Sequence, residues 1–245
     1  AVLDALSCMF LNSDIVHSGT ATACFKAPET KYHTACLHLN GYDITAESVP
    51  AIYGSSGVLN VMGDGVVSGY AGNNRGGAVQ LNNYLTYANA VNLYSGTYRK
   101  GPNAVSGGYV AAMASNGGGL YVYEDAVVEG NNAIYVGVPH ASGDNKLGLY
   151  DCTVTGNIVL QAPDASRTTK TIFNTNSATI NGTVNIYGNH DVTFTGRTKI
   201  TKLSLAAGTV VNFANMLPGS AITVDANGIF TTPMELADEW IGYIS

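Results

Sequence analysis

Charged side chains are scarce in this sequence. Asp, Glu, Lys and Arg make up 11% of its 245 residues, less than half of their share in an average globular domain. The net charge is −6, and the 11 Lys and Arg residues form no basic patch, which argues against a nucleic-acid partner. No apolar run reaches the length of about 18 residues that a membrane-spanning helix requires, so we expect no membrane insertion.

Cysteine is also sparse, and its spacing leaves the pairing open. Cys8, Cys24, Cys36 and Cys152 form no C-x-x-C pair and no spacing typical of metal ligands. Cys24 and Cys36 either pair across an N-terminal cap or remain buried thiols that behave as small hydrophobic residues. Residues 1–11 have no basic region and include Asp4, which is unlike a signal peptide. The chain is therefore either a mature protein or a fragment of a longer one.

Glycine, with 29 residues, and tyrosine, with 15, are abundant, and this composition favours many short strands joined by tight turns. One segment of alternating apolar and polar residues recurs along the chain. Such alternation is typical of a strand with one buried face. The copies begin at Leu59, Val91, Leu120 and Leu147, at spacings of 32, 29 and 27 residues.

Two further strand patterns accompany this segment. A second strand ends in a Gly-containing turn, and a third strand follows that turn. Three strands per repeat, with few two-residue hairpin signals between them, argue against a sandwich or a closed barrel. The sequence predicts an all-β fold, a right-handed single-stranded parallel β-helix of about eight or nine turns. The apolar positions of the second strand are Val67, Tyr98, Val128, Val154, Ile180 and Ile200.

The repeats also predict the organisation of the chain. Residues 36–232 are expected to form the parallel β-helix. Residues 1–35 lack the repeat and are expected to form an N-terminal cap or a truncated first turn. Residues 233–245, which contain the single Trp, are expected to form a C-terminal cap or tail that covers the last turn. The alternation breaks near Lys170, which falls on an expected inward position, and the register there stays open.

Two segments resemble a known family. Residues 37–45, Leu-His-Leu-Asn-Gly-Tyr-Asp-Ile-Thr, resemble the L-D-L-N-G-x-x-I turn near the start of bacterial pectate-lyase-like β-helix proteins, with His38 in place of Asp. The region 182–232 resembles the C-terminal turns of large repetitive surface proteins of gut Firmicutes, through G-x-V-x-I at Gly182–Ile186 and G-S-x-I-x-V at Gly219–Val224. The resemblance implies a β-helix at a bacterial cell surface. It implies no particular activity, because this superfamily contains lyases, hydrolases, adhesins and stalks.

The sequence carries no catalytic motif of these enzymes, and we predict no catalytic residues. It lacks the Asp-Asp pair and the Gly-His-Gly of polygalacturonase-like hydrolases, and its five His residues share no metal-ligand spacing. Asp64, Asp125 and Asp151 follow the first alternating strand at similar offsets, which makes them weak candidates for a calcium or carboxylate cluster; the alternative is solvated turn residues. The basic candidates for a lyase are Arg75, Arg99 and Lys100.

An aromatic stripe is the feature that most favours binding. Met62, Tyr94, Tyr123 and Tyr150 occupy the same outward position of the first strand, and Tyr121 lies beside them. On turns stacked about 4.7–4.9 Å apart, these side chains form a ladder on one outer face. The ladder predicts either a surface for sugar rings or a partner protein, or a self-stack that stabilises the coil.

These observations favour a non-enzymatic extracellular module of a bacterial cell-surface protein, which acts as a stalk or as an adhesive, glycan-binding surface. The expected partners are glycans, host or bacterial surface proteins and neighbouring domains of a longer chain. No cofactor is expected apart from calcium at the Asp positions. Two alternatives remain: a polysaccharide lyase or glycoside hydrolase of the pectate-lyase-like class, and a subunit that self-assembles into fibres.

Overall fold

In this computed structural model, the chain is described with side chains at residues 7–81, 90–113, 118–137, 145–161 and 178–186. The backbone strands between 169 and 231 are described as well. The predicted C-terminal cap at 233–245 lies outside the described residues. Within the described part the chain is all-β and contains no helix, and so no helix there is long and apolar enough to cross a membrane.

The described residues form short strands separated by turns. In chain order these are β1 (Cys8–Phe10), β2 (Ile15–His17), β3 (Phe25–Lys26), β4 (Thr34–His38), β5 (Ile44–Ala46), β6 (Ile52–Gly54), β7 (Val58–Met62), β8 (Val66–Gly69), β9 (Gly76–Leu81), β10 (Ala90–Lys100), β11 (Tyr109–Met113), β12 (Gly119–Gly137), β13 (Asn145–Tyr150), β14 (Thr153–Gln161), β15 (Thr169–Asn176), β16 (Ala178–Tyr187), β17 (His190–Thr195), β18 (Thr198–Leu205), β19 (Val210–Phe213), β20 (Ala221–Val224) and β21 (Ile229–Thr231).

These strands build three faces that run along one coil, and every pairing is parallel. The first face contains β1, β4, β7, the first half of β10, the start of β12, then β13, β15, β17, β19 and β21. The second contains β2, β5, β8, the second half of β10, the middle of β12 and the starts of β14, β16 and β18. The third contains β3, β6, β9, β11, the ends of β12, β14, β16 and β18, and β20. The predicted parallel β-helix is confirmed.

The core lies inside the coil and is built by the alternation seen in the sequence. Because successive side chains of a strand point to opposite sides, every second residue of each face enters the interior. Leu59, Val61, Val91 and Leu93 of the first face are fully buried. The expected column of the second face is also confirmed, since strand register joins its members turn by turn: Val67, Tyr98, Val128, Val154, Ile180 and Ile200.

Two details of the predicted repeat are corrected. About five turns are described with side chains along most of their length, fewer than the eight or nine predicted, and the strands after Gln161 continue the same ladders. The sequence also missed β11, which supplies the third face in the fourth turn. All five residues of β11 are buried, including the outward Ala112, so this strand shows no apolar–polar alternation.

Residues 7–35 contain a complete turn. Strands β1, β2 and β3 pair with β4, β5 and β6, one on each face. A disulfide joins Cys8 to Cys36 across the two turns, so the pairing of Cys24 with Cys36 that the sequence allowed is wrong. Cys24 and Cys152 are buried thiols, and burial raises the pKa of both.

The register near Lys170 is resolved by the pairing of β13 with β15. Phe173 aligns with the inward Leu147, and Ile172 aligns with the exposed Lys146. Because alternation has a period of two residues, Lys170 falls in the series of Lys146 and not in that of Leu147. The backbone register that the sequence left open near Lys170 is thereby defined.

Candidate functional site

One outward column on the first face brings together side chains that are far apart in the sequence. Strand register aligns Phe10 with His38, and His38 with Met62. Strand register also aligns the inward residues Leu93, Val122 and Leu149 of the next three turns. The residue after each of them, a tyrosine in all three turns, holds the same outward position as Met62. The six aligned positions extend over about 24 Å of the coil at the usual spacing of paired strands. The aromatic column, as we name it, consists of Phe10, His38, Met62, Tyr94, Tyr123 and Tyr150.

The rings of the aromatic column stack on one another. The ring centroids of Tyr94 and Tyr123 are 4.5 Å apart with an interplanar angle of 12°, and those of Tyr123 and Tyr150 are 5.1 Å apart at 18°. Phe10 and His38 stack in the same way, 5.1 Å apart at 22°. Both faces of the Tyr123 ring are therefore covered by neighbouring rings. What the middle of the column offers to the outside is ring edges and hydroxyl groups.

The exposure of the side chains varies along the aromatic column. Phe10 is 64% exposed and Tyr94 is 39% exposed, whereas Tyr123 and Tyr150 are less exposed. The sequence reasoning missed Phe10 and His38 as members, because the strand of Phe10 lies in residues 1–35, which carry no visible repeat, and His38 is aligned with Met62 only by the strand register. The signal was present in the spacing of 28 residues between Phe10 and His38, close to the length of the later repeats.

A second outward column lies two residues upstream of the aromatic column on the same strands. Its lower end is the disulfide between Cys8 and Cys36. Above it, the side-chain amide of Asn92 donates a hydrogen bond of 2.7 Å to the side-chain oxygen of Asn60. Tyr121 follows on the next turn and aligns with Gly148. A methyl group at Gly148 would collide with the Tyr121 and Tyr150 rings, so this glycine makes room for both. Tyr121 therefore lies beside the aromatic column, in the neighbouring column of the same face.

The packing of the column changes the acidity of its phenols. Burial raises the pKa of Tyr123 to about 12, and the neighbouring Tyr94 and Tyr150 add to this effect. Burial also raises the pKa of Tyr121 and of Tyr150. Removing water from a phenol disfavours the charged phenolate, and neighbouring phenols disfavour it further. These tyrosines therefore stay neutral well above physiological pH and act as hydrogen-bonding groups.

The three acidic candidates lie at the corner between the first and second faces. Register aligns Ser95 with Asp125, so a serine occupies this corner in the turn between those of Asp64 and Asp125. Asp151 follows Tyr150 and has a positive φ of 52°, as expected for a tight corner. Among the residues that the structure describes, no three His, Cys, Asp or Glu side chains are close enough to hold a metal ion.

The basic candidates do not share one site. Arg99 forms an ion pair with Glu129 on the next turn of the second face. Arg75 lies instead in the segment before β9, at the corner between the second and third faces. Lys100 ends β10 and pairs with Gly69. The described residues therefore do not assemble these cations around a carboxylate pair of the kind that glycoside hydrolysis requires.

A second aromatic cluster, which the sequence reasoning missed, lies outside the third face. Tyr109, Ala112, Tyr135 and Val159 are buried although Ala112, Tyr135 and Val159 hold outward positions of their strands. The rings of Tyr109 and Tyr135 are 5.1 Å apart and tilted by 39°. The hydroxyl of Tyr135 donates a hydrogen bond to Gln161, 3.3 Å away. This cluster packs apolar side chains against the outer surface of the coil.

Two open grooves occur at the corner between the second and third faces. One, of about 380 Å³, is lined by backbone and small side chains of successive turns, including Gly130, Asn131 and Asn157. The other, of about 480 Å³, lies nearer the N-terminus and contains Arg75 and Tyr53. Turn segments supply most of the lining of the second groove, whereas the lining of the first groove lies where β12, β14 and β16 bend from the second face to the third.

Comparisons of this chain with protein-family models, with curated proteins and with solved structures give no match.

Proposed function

We propose that this chain is a non-enzymatic extracellular β-helix module that serves as a rigid spacer in a bacterial cell-surface protein. One observation carries the proposal: the outward columns of the first face are occupied by side chains that contact each other along the coil. Tyr94, Tyr123 and Tyr150 stack, and Asn92 bonds to Asn60. Side chains that satisfy one another stiffen a coil, whereas a catalytic site needs groups that converge on a cleft.

The coil has the connections that a spacer needs. Each described turn pairs in parallel with its neighbours on three faces, and the interior is filled with buried aliphatic side chains. In such a repeat structure the stability is a sum over neighbouring turns, so length can be added without a new core. The disulfide between Cys8 and Cys36 ties the first two turns together covalently.

The same disulfide supports the extracellular part of the proposal. Structural disulfides persist in oxidising compartments and are rare in the cytosol of mesophiles. The low content of charged residues and the resemblance of residues 182–232 to large repetitive surface proteins of gut Firmicutes agree with this assignment.

The geometry of the aromatic column bears on its predicted role in glycan binding. A sugar that stacks on an aromatic ring needs a free ring face, and the faces of Tyr123 are covered by Tyr94 and Tyr150. We therefore assign the middle of the column to the stabilisation of the coil. Binding through the ring edges and hydroxyls of Tyr94, Tyr121 and Tyr150 stays a prediction, which a glycan array with Tyr94→Ala tests directly.

A depolymerisation screen tests the non-enzymatic assignment. The whole chain is incubated with a panel of acidic and neutral polysaccharides, with and without calcium, and new reducing ends and unsaturated sugars are measured. We expect no release above that of the heat-denatured protein. Reproducible turnover that disappears on denaturation would overturn the proposal in favour of a carbohydrate-active enzyme.

A further inference from the structure

The groove that contains Arg75 is built by three consecutive turns of the coil. Thr22 comes from the first turn, Ser48 from the second, and Tyr70 and Arg75 from the third, with Tyr53 of β6 between them. The groove is open and has a volume of about 480 Å³. This volume lies within the usual range of small-molecule sites and is large enough for one or two sugar units.

The backbone around the cation is held in place before any ligand arrives. The amide of Arg75 donates to the carbonyl of Gly72 at 3.1 Å, and the carbonyl of Arg75 accepts from the amide of Tyr109 at 2.8 Å. The amide of Tyr70 donates to the carbonyl of Val49 at 3.0 Å, which ties two of the turns together. Fixed positions lower the entropy cost of binding.

The buried polar side chain in the groove, Gln80, is already hydrogen-bonded within the protein. Gln80 is buried, its side-chain oxygen accepts from the amide of Gly76 at 2.8 Å, and its amide group donates to the carbonyl of Leu81 at 3.1 Å. Gln80 therefore supports the groove, and the groups that face a ligand are the exposed hydroxyls of Thr22 and Ser48, the half-buried phenols of Tyr53 and Tyr70, and the Arg75 guanidinium.

The charge of the groove is opposite to that of the protein. The net charge of the chain is −6, yet Arg75 is the charged side chain of the described lining, and it belongs to neither ion pair found among the described residues. The neighbouring cation Lys26, one turn below Tyr53, is paired with Glu29. A guanidinium without a carboxylate partner is suited to bind a planar oxyanion through two hydrogen bonds.

We propose that this groove binds an acidic sugar, with Arg75 holding its carboxylate or sulfate and the hydroxyl-bearing side chains around it holding the ring hydroxyls. A peptide is less suited to the site. Of the strands beside the groove, β6 and β9 are each paired on both sides, so neither offers a free edge to which an extended peptide could add. The proposal adds a binding site to the spacer, whose own test is the depolymerisation screen.

Titration calorimetry with the whole chain tests the proposal. The probes are an alginate-derived uronate tetrasaccharide, a sulfated dextran oligosaccharide, maltotetraose as the neutral sugar, and tetraglutamate as the acidic peptide. We expect binding of at least one acidic sugar, weakened by salt, and no binding of maltotetraose. The first two probes distinguish a carboxylate ligand from a sulfate ligand.

Matched arginine variants locate the site. Arg75→Ala is expected to weaken the binding of the acidic sugar by roughly tenfold or more, because a charge-assisted hydrogen-bond pair is lost, and Arg75→Lys is expected to give an intermediate affinity. The control is Arg99→Ala, which removes a cation of equal charge from the second face and should leave the affinity within about twofold. Thermal melts confirm that each variant is folded.

Several outcomes overturn the proposal. These are an affinity of Arg75→Ala equal to that of the parent, an equal loss in Arg99→Ala, and no binding of either acidic sugar at millimolar concentration. Binding of maltotetraose or of tetraglutamate as tight as that of the acidic sugars also overturns it. None of these results affects the spacer assignment, which rests on the stacked columns of the first face.

Discussion

Replacing Tyr123 by Ala tests whether the aromatic column stabilises the coil. Tyr123 has a ring on each side, at centroid distances of 4.5 and 5.1 Å, whereas Tyr94 stacks on Tyr123 alone among the described tyrosines. An aromatic pair contributes about 0.5–1.5 kcal/mol beyond the burial of its area. Tyr123→Ala should therefore lower the free energy of unfolding by about 1–3 kcal/mol through ring contacts, and Tyr94→Ala by about half of that.

Urea unfolding followed by circular dichroism measures this difference. Ala has a lower strand propensity than Tyr, but that cost is shared by the two variants and cancels in their comparison. Tyr123→Phe is the matched control, because it keeps both ring contacts and removes only the hydroxyl, and its unfolding free energy should stay near that of the parent. The reasoning is refuted if Tyr123→Ala is no less stable than Tyr94→Ala, or if Tyr123→Phe loses as much as Tyr123→Ala.

Two further predictions concern alkaline pH and the corners of the coil. Because burial raises the pKa of Tyr123 from 10.0 to about 12, the unfolded chain ionises first; the stability from this group is complete below about pH 10 and is lost as the pH rises toward 12. Urea midpoints across this range should therefore fall more steeply for the parent than for Tyr123→Phe, and equal slopes would contradict this. Gly156→Ala should destabilise by about 3–5 kcal/mol, because φ is +122° and the new methyl group would overlap the carbonyl oxygen of Gly130. Gly41→Ala should cost only about 1–2 kcal/mol, since φ is +84° but no atom lies within 4 Å; thermal melts that rank the two variants in the opposite order would refute the argument.

The sequence predicted the strands of the coil well because alternation has a direct physical cause. Where one side of a strand enters the interior and the other meets solvent, as at Leu59–Met62, the pattern is visible. Where both sides are buried, as in β11, the pattern vanishes and the strand was missed. For residues 1–35 the sequence left a cap and a truncated first turn as alternatives, because the strands there have only two or three residues, too few to establish a period.

The candidate sites were less accessible to sequence reasoning. Alternation places Tyr123 outward, but it does not tell whether a ring shows its face or its edge, and this orientation decides the role of the aromatic column. The groove around Arg75 is made by turns whose lengths vary, so no repeat pattern brings Thr22, Ser48 and Tyr70 together. The partner of Cys36 depended on a register that only the complete first turn reveals.

The disulfide between Cys8 and Cys36 also has a mechanical consequence. A pulling force applied at the two ends of the chain passes through the sulfur atoms and bypasses the backbone between the two cysteines. The loop spans a sequence separation of 28 residues, so about 95 Å of chain is withheld from extension. Turns without such a link can unravel under load, whereas the first one stays closed until the bond is reduced, so the redox state of the surroundings sets how far the N-terminal end can stretch.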